Sequence, residues 1–522
     1  MAANPIRFFR FSDASNPIRV LSKGFQRDYT LAYLQDLGAT SVVEEPLYFD
    51  RDYLSDFATF YAVSSRGYPN TCRRLHFFSG PAVTRDRLRR AVAAGWRTQS
   101  NLRAAYLGFV VLRPIPDAPF GRTVLVHYPE SNPTLPRITS PARLYETHLA
   151  GITFHVKGLA WQQQDSRVSA CATIAVWTML HSSALDEHHA IPTTADITRY
   201  AHRTASLGAR VFPSGGLNIY QLCEAIKESG LSPVVSQGEI TTANVLPSKV
   251  PLVAFGRTRF LSMLACLVRS GYPALAVGQL IDPKTGESKG HHAICVTGFR
   301  ECAPPTPTSG KVEFQDERIE YVYVHDDNIG LNVRFRVHVN TVANCVHLRQ
   351  SAPPASSTSP NPIASYPDFY PTSLIAAVHE GVRSSPDGVF LATIGIGSRL
   401  IKMATGAGWS KFGGVTVSSR IVRLHTYLES ILGTTLEGRR RALASTRLAL
   451  VEKVPPMSLH VGLARFGWGP AACLDVLLDT TGSEKSPAPF CHVGYESSFL
   501  SLAAALNSAE PGALGVGIDA TK

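Results

Sequence analysis

No Cys-x-x-Cys pair occurs in this chain, and its nine cysteines (Cys72, Cys171, Cys223, Cys266, Cys295, Cys302, Cys345, Cys473 and Cys491) are odd in number and widely spaced. That pattern argues against a disulfide framework and against a thiolate zinc site, which need closely set pairs. Most of these cysteines are expected to be buried thiols that pack as small hydrophobes. There is no apolar run of about 18 residues or more, so no membrane-spanning helix is expected. The opening residues, Met1-Ala-Ala-Asn-Pro-Ile-Arg-Phe-Phe-Arg10, lack the apolar core and cleavage site of a secretory leader, and a cytoplasmic location is expected. No internal repeat of useful length is present. Gly395-Ile-Gly397 and Gly413-Gly-Val-Thr lack the lysine of a phosphate-binding loop, so no nucleotide cofactor is expected.

Charge is also sparse, at 17% of residues, against the ~25% usual in soluble domains. The net charge is +11, and arginine outnumbers lysine 39 to 12. The arginines are scattered apart from Arg439-Arg440-Arg441, and no nucleic-acid motif accompanies them. A solvated basic surface is therefore expected rather than a nucleic-acid interface. The Arg-rich, Lys-poor, Ala-rich composition is compatible with a bacterial source of high GC content.

Hydrophobic residues make up 44% of the 522, enough for large cores and for roughly three domains. Residues 1–142 read as a mixed α/β region of unknown role. It holds a basic helix at Arg85–Ala94, strands at Tyr106–Arg113 and Arg122–Tyr128, and a Cys72/His76 pair read as packed rather than reactive. Residues 143–348 form the central unit. Strands are expected at 143–161, a buried helix from Cys171 to Ser183, and a helix over Gly215–Gly230 capped by Asn218 and Gln221. A strand at Leu231–Ser236, a helix at Phe260–Ser270 and a strand from Pro273 follow, then strands at Gly290–Gly298 and Glu320–Asp326. A Pro-rich insert at Cys302–Gly310 and a polar loop with His188-His189 are expected to be exposed. Residues 349–366 read as a Pro/Ser-rich linker. Residues 367–522 read as a C-terminal mixed α/β domain of unknown role, with helices near 371–382 and 419–432 and strands at Gly388–Ile394, Leu459–Leu463 and Leu474–Leu478.

The chemistry concentrates in one stretch, Trp161-Gln-Gln-Gln-Asp-Ser-Arg-Val-Ser-Ala-Cys171, where a cysteine opens an apolar helix. A helix N-terminus favours an anion there, and the thiolate is the reactive form of cysteine. A thiol nucleophile needs an imidazole partner, the imidazole needs a group to orient it, and acyl transfer needs donors for the oxyanion. His292, at the start of a strand, and Asp326, at the end of another, supply the first two. The run Gln162-Gln163-Gln164 offers a side-chain amide, and the backbone N–H of Cys171 a second donor.

On these residues the segment from about 160 to 340 resembles a papain-fold cysteine peptidase. More narrowly, it resembles the bacterial peptidases related to the double-glycine leader-cleaving domains of bacteriocin exporters. The likeness rests on Gln before a helix-opening Cys, on the helix-Gly-Pro-strand at Leu267–Val277, on His292-Ala-Ile-Cys-Val-Thr-Gly-Phe and on Val324-His-Asp-Asp-Asn-Ile-Gly330. The departures are Ala172 where the family has Gly, and Gln164 seven residues before Cys171 where the family spacing is one shorter. Gln163 and Gln164 therefore both stand as oxyanion donors. The resemblance implies an α/β (α+β) protein whose central papain-like domain is flanked by two mixed α/β regions. It implies a thiol-dependent hydrolase with Cys171, His292 and Asp326 as its triad, acting on a protein or peptide substrate without cofactor or metal. The same apparatus serves a deamidase or transamidase, and a degenerate fold would serve as a protein-binding module. His291 is expected to point away from His292 on the strand. By ligand type, His291, His292, Asp326 and Asp327 also compose a metal set, which the triad assignment makes unnecessary.

Overall fold

The computed structural model describes residues 5–129, 135, 137–140, 142–165, 171–185, 190–204, 216–241, 253–302, 313–351, 363–408, 415–433, 440–454, 458–468, 471–482 and 486–521. The chain is a mixed α+β protein built on three main sheets. The first is antiparallel, in the order Arg7–Arg10, Ala39–Tyr48, Cys72–Ser79, Tyr106–Leu112 and Phe120–Leu125. Tyr106–Leu112 is buried along its whole length, as a continuous apolar strand covered on both faces should be. Arg85–Ala94 is the expected helix, capped by the Thr84 hydroxyl. The helix Phe25–Asp36 bridges this sheet and the central one, touching Ala39–Tyr48 on one side and Gly330–Asn340 on the other. There the Tyr29 hydroxyl donates to the Leu331 carbonyl at 3.1 Å.

The central sheet has eight strands. Six of them, Ala274–Ile281, Ser288–Glu301, Ile319–Asp326, Gly330–Asn340, Cys345–Ser351 and Asp368–Val378, pair in a closed antiparallel circuit. Closure comes from Ala274–Ile281, which bonds to both Ser288–Glu301 and Asp368–Val378. A closed circuit leaves those strands without a free edge. The helices Cys171–Leu180 and Arg257–Arg269 pack on it. Ile219–Glu228 is the expected helix, and its Asn218/Gln221 capping box forms in both directions. Short strands at Arg143–Leu149 and Ile152–Gly158 form a hairpin. This hairpin packs on the first sheet, where Arg74 donates to the His148 carbonyl at 2.7 Å.

The third sheet joins Glu313–Phe314, Val415–Arg423, His460–Trp468, Ala471–Asp479, Pro489–Gly494 and Val516–Asp519. Its helices are Pro386–Gly406, Leu424–Gly433, Arg440–Lys453 and Ser497–Ala509. By length and composition Pro386–Gly406 is the one helix among the described residues apolar enough to cross a membrane. Half of that apolar window is buried, and the helix packs on the strands Val415–Arg423 and His460–Trp468.

Three expectations change here. The segment expected as a helix near 371–382 is the strand Asp368–Val378, because Ala274–Ile281 and Ser232–Gln237 both offer it hydrogen-bonding partners. The expected C-terminal unit thus contributes its first strand to the central sheet. The strand expected at 388–394 lies inside the helix Pro386–Gly406, whose start is fixed by the Ser385 cap and a proline in the first turn. The helix expected from 419 begins only at Leu424, after the strand Val415–Arg423. Of the linker, 352–362 lie outside the described residues, while Ile363 and Tyr366 beyond them are buried. The insert at 303–310 and His188-His189 also lie outside them.

Candidate active site

The helix Cys171–Leu180 is described from Cys171 onward, 166–170 lying outside the described residues. Every residue from Ala172 to Leu180 is buried, while Cys171 itself keeps partial exposure. The apolar sequence Ala-Thr-Ile-Ala-Val-Trp-Thr-Met-Leu therefore sinks the helix into the core and leaves its first thiol at the surface of that core. The helix packs on the strand Ser288–Glu301 that carries His292.

His292 stands opposite Gly278 in the strand register. A side chain at Gly278 would meet the Tyr370 carbonyl at 2.2 Å and the Phe369 ring at 2.8 Å, so glycine is what lets the strands close here. The Phe369 ring lies edge-on to the imidazole, with centroids 6.5 Å apart. His291, next in the chain, is exposed on the other face.

Asp326 ends the strand Ile319–Asp326 and is 0% exposed. Its Oδ1 accepts from His292 Nε2 at 2.9 Å and from the Asn328 N–H at 2.9 Å. Its Oδ2 accepts from the Tyr366 hydroxyl at 2.9 Å. Its backbone carbonyl accepts from the Trp161 indole N–H at 2.9 Å. The carboxylate thus both closes an Asx turn and orients the histidine. Trp161 is bonded through its backbone to Thr123, so the first sheet and the Asp326 turn are tied through one residue. Gln26 adds a bond to the Asp327 carbonyl at 3.2 Å.

With Nε2 committed to Asp326, His292 has Nδ1 left for the neighbouring Cys171 thiol, which helps to hold the imidazole in its charged form. Burial alone would push this imidazole toward its neutral form. The charge and hydrogen bond of Asp326, the neighbouring Cys171 thiol and the charge of Asp327 outweigh it, and the imidazole is held well above its ordinary range. Asp327 is the second carboxyl here, its Oδ1 3.8 Å from His292 Nε2. Burial pushes it up to about 7, opposed by His292 and assisted by Asp326, and its Oδ2 has no hydrogen-bond partner among the described residues.

The glutamine run divides three ways. Gln163 is turned toward the first sheet, with its Nε2 donating to the Asp117 carbonyl at 3.3 Å and its Oε1 accepting from the Phe120 N–H at 3.4 Å. Gln164 Nε2 donates to Asn328 Oδ1 at 3.1 Å, two residues from Asp326. An amide nitrogen carries two hydrogens, so this one keeps a second donor. Gln162 is buried, and its Nε2 has no partner among the described residues.

His292, Asp326 and Asp327 have ligand-type atoms within 4.8 Å of one another. Both oxygens of Asp326 and Nε2 of His292 are already engaged in the hydrogen bonds above, so an ion here would have to break them. Cys72 and His76 are not a second pair. Burial drives the Cys72 thiol upward, and His76 bonds to Tyr106 and Glu45 instead. All nine cysteines are free thiols. Burial raises Cys72, Cys223, Cys266, Cys295, Cys345, Cys473 and Cys491 above the ordinary thiol range.

The structure therefore brings Cys171, His292 and Asp326 together, sets Gln164 beside their turn and directs Gln163 elsewhere. Tyr366 and Trp161 belong to the same cluster and were given no role from the sequence, and Asp327, named there only as a metal ligand by type, joins them. Tyr366 arrives from beyond a segment with no periodicity, so no local pattern announces it. No protein-family model matches this chain, and no curated protein matches it.

Proposed function

We propose that the chain is a thiol-dependent acyl-transfer enzyme, a cysteine peptidase that hydrolyses peptide or isopeptide bonds with a papain-like central domain. The observation that carries this reading is the buried His292, bonded to Asp326 through Nε2 and held in its charged form by Asp326 with help from the neighbouring Cys171. An imidazole held in its charged form beside a thiol at the first residue of a helix favours the ion pair of thiolate and imidazolium. The closed circuit of strands packed on a helix that opens with Cys171 supports the papain-like reading of the fold.

In this mechanism the Cys171 sulfur attacks the substrate carbonyl and forms a tetrahedral oxyanion. The Cys171 backbone N–H and a glutamine amide donate to that oxygen. As the C–N bond breaks, the His292 imidazolium gives its proton to the leaving amine. Water then adds to the thioester, His292 takes a proton from it, and the acid departs as the C–S bond breaks. Asp326 keeps the imidazole in one orientation throughout and is itself held by Tyr366 and the Asn328 N–H. An amine arriving in place of water would give transamidation, and a side-chain amide as substrate would give deamidation.

Mass spectrometry of a proteome incubated with the wild type and with Cys171→Ala tests this reading. New peptide termini, or branched peptides lost, only with the wild type support hydrolysis. Identical peptide sets from the two, with both proteins folded, would contradict it.

A further inference from the structure

A cavity of about 610 Å³ lies between the central sheet and the C-terminal sheet, and none of Cys171, His292 and Asp326 lines it. That is the size of a small-molecule site. One wall is the end of the helix Arg257–Arg269 and the Ser270-Gly271-Tyr272 turn. The floor is one face of the C-terminal sheet. Its register places Arg465 opposite Ser418 and Leu463 opposite Arg420, so that Ser418, Arg420, Leu463 and Arg465 share a face by the period-two alternation of strands. A strand face turned toward the interior normally carries apolar residues. This one carries a hydroxyl and two guanidinium groups.

We infer that this cavity binds a small molecule through a phosphate group. No carboxylate is among the residues that line it. The neighbouring arginines are mostly engaged. Arg269 bonds to Asp316 and Glu301, Arg465 is bidentate to Asp475 at 2.7 and 2.8 Å, and Arg423 donates to the Ala184 carbonyl at 3.3 Å. The Arg420 guanidinium makes no hydrogen bond or ion pair with any described residue, its backbone lying in the strand paired with His460–Trp468. Burial and the nearby charge of Arg465 press it down to about 10, with Asp475 opposing and Arg269 adding to the effect. The carboxylate that acts on Arg420, Asp475, is already bidentate to Arg465 and accepts from the Tyr427 and Tyr495 hydroxyls, so Arg420 only shares its charge. A bound anion would give this guanidinium a partner of its own. A tetrahedral phosphate suits the Arg420 fork and the Ser418 hydroxyl on the same strand face, and no carboxylate lines the cavity to repel it. Tyr272 and Val422 give an apolar wall for the rest of the ligand. The inference does not depend on the thiol chemistry proposed above.

The test is calorimetric titration of the full chain with inorganic phosphate and with AMP, with acetate as the carboxylate control, all at matched ionic strength. Phosphate and AMP are expected to bind and acetate is not. AMP alone binding would mean that the apolar wall contributes, whereas phosphate alone would mean a site for the free ion; both support the phosphate class. Arg420→Gln is expected to fold normally, since the Arg420 guanidinium bonds to no described residue, and to weaken binding about tenfold or more. Ser418→Ala is the second variant and is expected to weaken binding less. Absence of binding to wild type, binding of acetate as strong as that of phosphate, or wild-type affinity in both variants would each overturn the inference.

Discussion

Replacing Asp326 with asparagine removes the charge beside His292 while keeping the shape of the site. The oxygen that faces His292 and the Asn328 N–H can stay in place, and the Tyr366 hydroxyl can turn to accept from the new amide. At the 2.9 Å separation of His292 Nε2 and Asp326 Oδ1, an effective dielectric near 20 gives a gross attraction of about 6 kcal/mol. Part of this survives as a neutral hydrogen bond, about 1 kcal/mol. More is restored by Asp327, 3.8 Å from the same nitrogen, because the Asp326 charge helps to keep Asp327 protonated. A net loss of about 3 kcal/mol remains, a fall of roughly 100-fold in the ratio of imidazolium to imidazole. The assay is the NMR titration of the His292 imidazole, assigned by its loss in His292→Gln. The midpoint is expected to fall in Asp326→Asn and to fall further in the double variant with Asp327→Asn. An unchanged or higher midpoint in a folded Asp326→Asn protein would refute the view that Asp326 sets the charge of His292.

Further outcomes follow from the same geometry. Tyr366→Phe leaves one oxygen of a buried carboxylate without its donor, a cost of about 1–3 kcal/mol; kcat should drop more than KM rises, and a pure stability loss with unchanged kcat would exclude a positioning role. Among the glutamines, Gln164→Ala is expected to lower acyl-enzyme formation by about 100-fold if its free hydrogen serves the oxyanion, whereas Gln163→Ala should lower stability only, and a rate loss confined to Gln162→Ala would reassign the donor. Asp327 is raised, so the stability it lends is complete below the unfolded carboxyl value of about 3.9 and is lost as pH rises through about 7. Asp327→Asn should therefore lose less stability than wild type between pH 5 and pH 8, read as urea midpoints, and equal losses in the two proteins would contradict the sign. His292 acts in the same direction, because its value is also raised.

Much of the site was legible because its parts are punctuated locally. Asn218 and Gln221 announce a capping box, Cys171 opens an apolar run, and Asp326 precedes a turn. The alternation of His291 and His292 between exposed and buried faces follows from strand geometry alone. What was not legible depends on distant partners. Asp368–Val378 is a strand because two other strands flank it, and the apolar run around Val389 fits strand and helix equally until its capped start is noticed. Tyr366 and Trp161 reach the site by tertiary packing, and the roles of three adjacent glutamines are separated only by what each amide touches.

Alkylation of Cys171 by iodoacetamide, followed residue by residue with mass spectrometry at pH 6–7, tests the central claim most directly. Seven of the other thiols are raised by burial, and Cys302→Ser removes the remaining one as background. The account predicts that Cys171 reacts fastest, and that His292→Ala slows it while leaving the other cysteines unchanged. Slow labelling of Cys171 at the rate of the other accessible thiols, indifferent to His292, would contradict it.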